Sequence, residues 1–333
     1  MHNIEQIKNT ILEGDVLEQL RLLPDNSINC IITSPPYWAA RTYFVEGQIG
    51  QEDHPSSYID KIIEVIKECK RVIKPTGSIV INLGDSFYSK SGSGQGNNSP
   101  ERQKILDGGT GVLYKAQQEI RGKYKTNWLQ HKQKLLIPER IAIKCQDDLG
   151  LIVRSHIHWV KKVVNWKTKQ SWGCAMPSST QDRMTTHSES IFHMVKDPKY
   201  FFNLDAIRIP IKDASVKREG YGFNKGTKSD FTSMRNLDRY SNPKGANIGD
   251  CIMFPFDFSH LPHHAMFPQS LPDLFIRACT KEGDIVLDPF SGMGTTGVAA
   301  LQLGRFYIGI ELNKNYADLS RKRLEPYLGQ KRL

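Results

Sequence analysis

The stretch from Asp284 to Glu311 permits few folds. Asp284-Ile285-Val286-Leu287-Asp288 is a short apolar run ending in an acid, followed by Pro289-Phe290-Ser291-Gly292-Met293-Gly294-Thr295-Thr296-Gly297 and then Val298-Ala299-Ala300-Leu301. The pattern reads as strand, glycine-rich turn and helix. A second apolar run, Phe306-Tyr307-Ile308-Gly309-Ile310, ends in Glu311, 23 positions after Asp288. That is a parallel βαβ unit, with a carboxylate at the spacing that reaches a ribose diol. Asn313 then reads as the cap of a helix running to about Pro326.

Gly292-x-Gly294-x-x-Gly297 matches the dinucleotide fingerprint, so NAD or FAD has to be weighed. Two features argue against them. Asp288-Pro289-Phe290 packs an acid and an aromatic ring into the turn. A pyrophosphate disfavours another carboxylate, whereas a sulfonium with an amino-acid tail suits it. Only one further strand follows in the sequence, so the N-terminal half has to complete the sheet.

That half offers the strands. Thr10-Ile11-Leu12 is one, followed by Gly14-Asp15 and helical signal over 16–20. Asp15 reads equally as a pocket residue at a strand's C-terminal edge and as a helix N-cap. Cys30-Ile31-Ile32 is a second strand, ended by Thr33-Ser34-Pro35-Pro36-Tyr37. Two prolines remove two backbone donors and push the preceding residues to extended geometry. The product is a rigid turn presenting a hydroxyl, two carbonyls and an aromatic ring.

Those groups suit one chemistry. An exocyclic amine on a nucleobase is a poor nucleophile because its lone pair is delocalised into the ring. Two acceptors, Ser34 Oγ and the Pro35 carbonyl, can bind its two N–H bonds and favour a pyramidal nitrogen, freeing the lone pair. Tyr37 can stack on the base.

Residues 38–43 read as a loop over this site. Ile59, Ile62, Ile63, Ile66 and Ile73 follow at helical spacing from Ser57, with Ser56 or Ser57 as cap. Lys74-Pro75-Thr76-Gly77 ends that helix before a buried strand over 78–83. Further on, 137–149 reads as a helix. Leu151 to Val160 reads as a strand with Ile152, Arg154, His156 and His158 on one face and Leu151, Val153, Ile157 and Trp159 on the other. Ser190 to Val195 is another strand. His156 and His158 lack a third metal ligand at fitting spacing, so no metal is expected.

Charge placement narrows the partner. The net charge is +10, yet residues 86–135 alone carry +6 and residues 161–250 carry +7. Both blocks mix lysines and arginines with aromatic residues, among them Tyr114, Tyr124, Trp128, Trp166 and Trp172. Phosphates call for the charge and bases for the rings, so a nucleic acid is the expected partner. The six scattered cysteines and the lack of a membrane-length apolar run give the expectation of a reduced, cytoplasmic protein.

Ser34-Pro35-Pro36-Tyr37 resembles the target-amine motif of the DNA amino-methyltransferases. Asp288 through Thr296 resembles their S-adenosylmethionine motif, and His263-His264-Ala265-Met266-Phe267-Pro268-Gln269-Ser270-Leu271-Pro272 resembles their segment around the methionine part. Amine motif first and cofactor motif last is the order of the β group. The resemblance implies an α/β fold: a Rossmann-like S-adenosylmethionine-dependent methyltransferase sheet, circularly permuted, with an inserted target-recognition region. It places the catalytic half in 1–85, the rest of the sheet in 136–200 and cofactor binding in 251–333, while charge and composition assign DNA contact to 86–135 and target recognition to 201–250. It implies S-adenosyl-L-methionine bound by Asp15, Phe267, Pro268, Asp288, Pro289, Phe290, Ser291, Gly292, Gly294, Thr295, Thr296, Glu311 and Asn313. Ser34, Pro35, Pro36 and Tyr37 are its catalytic set. Serine at position 34 resembles the N4-cytosine members, with N6-adenine as the alternative. The implied partners are double-stranded DNA and a cognate restriction endonuclease. The implied setting is a prokaryotic cytoplasm near the nucleoid, as monomer or homodimer.

Overall fold

The computed structural model describes residues 2–40, 45–88, 129–175, 180–210, 244–254 and 267–328. Most of the basic insert, most of the 201–250 region and 263–266 lie outside the described residues, as does 41–43.

Ten strands and six α-helices occur among the described residues. The strands are β1 (Thr10–Glu13), β2 (Ile28–Thr33), β3 (Ile73–Leu83), β4 (Ile152–Val160), β5 (Lys162–Val164), β6 (Ser171–Gly173), β7 (Ser188–Val195), β8 (Cys251–Ile252), β9 (Ile285–Asp288) and β10 (Phe306–Glu311). The helices are α1 (Val16–Leu22), α2 (Pro55–Val72), α3 (Ile137–Asp147), α4 (Ser270–Cys279), α5 (Thr295–Gln302) and α6 (Lys314–Leu328). Eight strands form one sheet in the order β1-β10-β9-β2-β3-β7-β4-β8, and β5 pairs with β6 in a separate hairpin. β1, β10, β9, β2 and β3 are parallel, and β7 runs antiparallel between β3 and β4.

Period-two alternation sends successive strand residues to opposite faces. Ile31, Ile79, Leu287 and Ile308 pack with Ile59, Ile62 and Ile66 of α2 and with Ile141 and Cys145 of α3. Their neighbours Cys30, Ile32, Val80, Val286 and Tyr307 pack on the other side with Phe275 and Ile276 of α4, Val298 and Ala299 of α5, and Leu324 of α6. The result is a helix–sheet–helix sandwich, as both faces of a parallel sheet have to be covered. The expected permuted methyltransferase sheet is the one observed.

Three local expectations need correction. The cap of α2 is neither Ser56 nor Ser57. It is His54, whose Nδ1 accepts from the Ser56 amide at 3.1 Å, with Pro55 opening the helix. Proline suits that position because its missing donor is an orphan there anyway. Lys74–Gly77 ends the helix but is not a separate turn, since β3 already starts at Ile73. The register jumps from Ile28–Ile73 to Cys30–Ser78, so these residues bulge along the edge of the ladder. In β4 a register shift between Val153 and Ser155 breaks the alternation. Val153 therefore packs on the α2 side, while Ile157 and Trp159 pack on the α4 side.

The chain order locates the site. From β9 the chain winds through α5 to β10 on one side, and from β2 it winds through α2 to β3 on the other. β9 and β2 are neighbours in the sheet. The C-terminal edge between them is where the winding reverses, which is where open α/β sheets bind ligands.

Gly297 shows how tightly this half is built. An added Cβ would sit 2.6 Å from Tyr307 Cε1 and 2.8 Å from Leu324 Cδ2. Gly297→Ala should therefore destabilise by about 1–3 kcal/mol through overpacking, read as a lower urea midpoint than wild type. An unchanged midpoint would mean that α5 does not rest on β10 this closely.

Candidate active site

Both motifs project from that edge. The end of β2 is tied to the end of β9 by side chains: the Thr33 hydroxyl donates to Asp288 Oδ1 at 2.6 Å. The Thr296 hydroxyl donates to the other carboxylate oxygen at 2.7 Å, and the Phe290 amide donates to Oδ1 at 3.1 Å. At the opposite end of the same strands, Asn29 Nδ2 donates to Asp284 and Asn29 Oδ1 accepts from the Ile285 amide. The two strands are thus pinned at both ends, with Ser34 one residue beyond the upper pin.

Asp288 is buried, and burial raises its pKa to about 6, with the donated bonds from Thr33, Thr296 and Phe290 opposing the rise. Its carboxylate organises the loop from within, although it also reaches the cavity wall.

The cavity spans about 950 Å³ of atom-free space, the open solvent at its mouth included. Its wall includes Ser34 and Pro36 from the amine motif. It also includes Asp15, Phe267, Asp288, Pro289, Phe290, Ser291, Gly292, Thr295, Glu311 and Asn313 from the expected cofactor set. Pro35, Tyr37, Pro268, Gly294 and Thr296 do not line it. Gly294 has φ 73°, and a Cβ there would lie on Ser320 Oγ, so it shapes the turn from behind. Thr296 serves Asp288. Gly14, Val16, Gln48, Ile49, Met293, Ile310, Leu312 and Tyr316 complete much of the wall. Apart from Gly14 beside Asp15 and Met293 within the glycine-rich turn, they are apolar or neutral residues outside the sequence motifs.

Asp15 resolves both ways. Its Oδ1 accepts from the Leu17 and Glu18 amides, capping α1, and the residue still faces the cavity. Glu311 Oε2 accepts from the Gly292 amide at 2.8 Å and Oε1 from the Asn313 amide at 2.8 Å. Burial raises the Glu311 pKa while those two amides oppose it. Asn313 in turn accepts from the Asn315 and Tyr316 amides, capping α6.

Tyr37 does not face the cavity. Its ring packs flat on Gly84, where a Cβ would come within 2.3 Å of Cε2. Its hydroxyl donates to Glu189 Oε2 at 2.5 Å. Asn82 Nδ2 donates to the same Glu189 oxygen and to the Tyr37 oxygen, both at 2.8 Å. Ser34 donates its proton to the Tyr37 oxygen at 3.3 Å. Lys161 closes the network on Glu189 Oε1. Burial and the Glu189 charge push the Tyr37 pKa well up, so the phenol keeps its proton. The anchored carboxylate therefore orders the hydrogens: Tyr37 points to Glu189, Ser34 points to Tyr37, and Ser34 Oγ, which also accepts from Asn82 Nδ2 at 3.4 Å, keeps one lone pair for the cavity. The Tyr58 hydroxyl fixes the turn from beneath by donating to the Pro36 carbonyl at 2.9 Å.

His156 and His158 do share a face, with ring centroids 4.3 Å apart, and His156 Nε2 meets Ser190 Oγ at 3.0 Å.

The cavity wall separates the two cofactor readings. Among the described residues it contains three carboxylates, Asp15, Asp288 and Glu311, and no lysine, arginine or histidine. A pyrophosphate would be repelled. A cationic donor with a ribose and an aromatic base fits: Glu311 retains lone pairs for hydroxyls, Phe290 and Tyr316 offer rings, and Gly292 (φ 52°) leaves open space where a side chain would stand.

Fold and site together define a Rossmann-like S-adenosylmethionine-dependent methyltransferase. The family model N6_N4_Mtase, described as DNA methylase, matches residues 28–322, and the chain belongs to that family. The type II methyltransferase M.Cfr9I of Citrobacter freundii is 32% identical over 95% of this chain and 87% of its own length. The DNA adenine methyltransferase YhdJ of Escherichia coli K12 is 28% identical over 95% of this chain and 82% of its own. Two solved structures share the fold: the PvuII DNA methyltransferase (cytosine-N4-specific), and a putative DNA modification methylase of Thermus thermophilus complexed with S-adenosyl-L-methionine. The first has TM-score 0.58, 17% identity and coverage of 95% and 89%; the second has TM-score 0.56, 21% identity and coverage of 97% of both chains. The protein is a DNA amino-methyltransferase that uses S-adenosylmethionine.

The Asp288 environment carries a pH signature. Its pKa in the fold, about 6, lies above the ordinary 3.8. The folded protein thus holds this proton more tightly, and the stability it contributes is full below about pH 4 and is lost as pH rises through 6. The urea midpoint should show that loss in the wild type, and Asp288→Asn should flatten it. An identical pH profile in both proteins would contradict the assignment.

Proposed function

We propose that the chain transfers a methyl group to the N4 amine of cytosine in duplex DNA, as the modification half of a restriction–modification pair. The observation that carries the reading is Ser34 Oγ on the wall of the same cavity as the Gly292 loop, with its own proton donated to Tyr37.

The target amine lies inside the duplex, so the base has to leave the stack to reach the cavity. Ser34 Oγ on the wall accepts one N–H of the amine, and the Pro35 carbonyl, set back from the wall, is the second acceptor the turn offers. The Pro36 carbonyl already accepts from the Tyr58 hydroxyl. The two acceptors bias the nitrogen toward a pyramidal shape and aim its lone pair across the cavity. When bound, S-adenosylmethionine supplies an electrophilic methyl on a sulfonium. Glu311 holds the ribose hydroxyls and, through the Gly292 amide, the loop. Catalysis is mainly positioning of the reacting atoms, with acceptors placed where positive charge develops on nitrogen. No strong base is required, because the methylated nitrogen is acidic enough to release its proton to water.

Serine at position 34 and the likeness to type II methyltransferases support the cytosine and restriction–modification reading. The 28% identity to a DNA adenine methyltransferase favours the second reading, N6-adenine. Either amine meets the same pair of acceptors.

Digestion of DNA methylated by the enzyme, followed by mass spectrometry of the nucleosides, decides between them. N4-methyldeoxycytidine is expected, and N6-methyldeoxyadenosine would overturn the base assignment. Ser34→Ala should lower kcat by roughly ten- to a hundred-fold, the loss of one charge-stabilising acceptor and its positioning, while donor affinity holds within about two-fold. Equal loss of both would contradict the role given to Ser34.

A further inference from the structure

Among the described residues, none of β5 or β6 belongs to either core cluster of the main sheet, yet the hairpin leaves the sheet at the active-site edge. β4 is antiparallel to β7, which is antiparallel to β3, so β4 runs in the direction of β3 and β2. Its last residue, Val160, therefore lies at the same sheet edge as Ser34, and the hairpin leaves from there. Lys161 at its foot pairs with Glu189, the carboxylate that holds Tyr37. The hairpin is thus coupled mechanically to the catalytic turn.

Its composition is one-sided. Residues 161–173 hold four lysines and no acidic residue. Trp166 is 82% exposed and Trp172 52%, with Val163 and Val164 half exposed between the lysines. The tip is ordered from within: Asn165 Oδ1 accepts from the Lys167 and Thr168 amides, and the Asn165 amide donates to the Gln170 carbonyl. Lys169 Nζ sits 3.0 Å from the Trp166 ring centroid. A fixed tip that holds an indole out to solvent, with a cation on one face of its ring and the other lysines nearby in sequence, suits a partner that is both polyanionic and aromatic.

We propose that this hairpin is a duplex-docking arm. Lys162, Lys167 and Lys169 lie on phosphates next to the target base, and Trp166 stacks on a base left uncovered when the target leaves the helix. The inference rests on the DNA-methyltransferase reading and adds to it the element that grips the opened duplex. Base–aromatic stacking accounts for the tryptophan and phosphate contacts for the lysines.

The test uses the full chain as wild type, Trp166→Ala, Trp166→Phe, and the triple variant Lys162→Gln, Lys167→Gln, Lys169→Gln. Affinity for a labelled duplex of about 40 base pairs is measured across salt concentrations, with methyl transfer to bacterial genomic DNA and calorimetric donor binding alongside. Trp166→Ala should weaken duplex binding about ten-fold, as removal of one stacked base contact does, and should raise KM for DNA by a similar factor. Donor binding should stay at the wild-type value, and Trp166→Phe, which keeps a ring, should retain most of the affinity. In the triple variant the slope of log affinity against log salt should shrink by about 2.7, three phosphate contacts at about 0.9 each. Wild-type duplex affinity, KM and salt slope in Trp166→Ala and the triple variant would overturn the proposal. Trp166→Ala losing donor binding as well, with Trp166→Phe fully normal, would still support a ring at this place; loss of both in Trp166→Phe would assign the indole to folding and overturn it. A wild type that methylates no DNA while the variants still lose duplex affinity would sink the activity and leave the arm standing.

Discussion

Among the hydrogen bonds that join the two halves of this enzyme, one stands at the active site. The Thr33 hydroxyl on β2 and the Asp288 carboxylate on β9 meet 255 positions apart in sequence at 2.6 Å. Ser34 follows Thr33 directly, and the Gly292 loop follows Asp288 directly. Where the carboxylate sits therefore decides where the amine acceptors stand relative to the donor loop. Its burial is costly for a charge, which is why three donors converge on it and its pKa still rises. The parallel pairing of β2 with β9 and the Asn29 pin at the lower end make that meeting repeatable.

Around this clasp, two carboxylates do opposite work. Glu311 is held by backbone amides at the cavity wall, so it stays oriented toward hydroxyls while fixing Gly292. Glu189 never reaches the wall. It acts through Tyr37 and Asn82, setting which way each hydrogen points, so that the short Ser34 side chain offers an acceptor rather than a donor. A wall with three carboxylates and no cationic side chain among the described residues then selects a positively charged cofactor over a pyrophosphate.

Much of this was legible where the signal is local. The turn after Asp288 and the carboxylate at 311 are encoded by spacing within one βαβ unit, and the Pro-Pro turn enforces its own shape. What was not legible arrives from strands that meet only in the fold. Glu189 and Asn82 reach Tyr37 from 152 and 45 positions away, through an antiparallel pairing of β3 with β7 that no local pattern announces. Tyr37 reads as a stacking ring from sequence; that its ring lies against Gly84 in the fold is a contact no local pattern announces. His54 as a cap was hidden because histidine seldom plays that part, although Pro55 marked the place. The bulge in β4 moved Val153 to the face opposite Ile157, a change that alternation alone cannot register.

The most direct test is a double-mutant cycle on the clasp, with Thr33→Val, Asp288→Asn and both together, read as kcat for methyl transfer to genomic DNA. If Thr33 and Asp288 act as one unit that sets the cleft, the double variant should be no slower than the slower single one. Losses that multiply, as for independent groups, would contradict a cleft assembled through this bond.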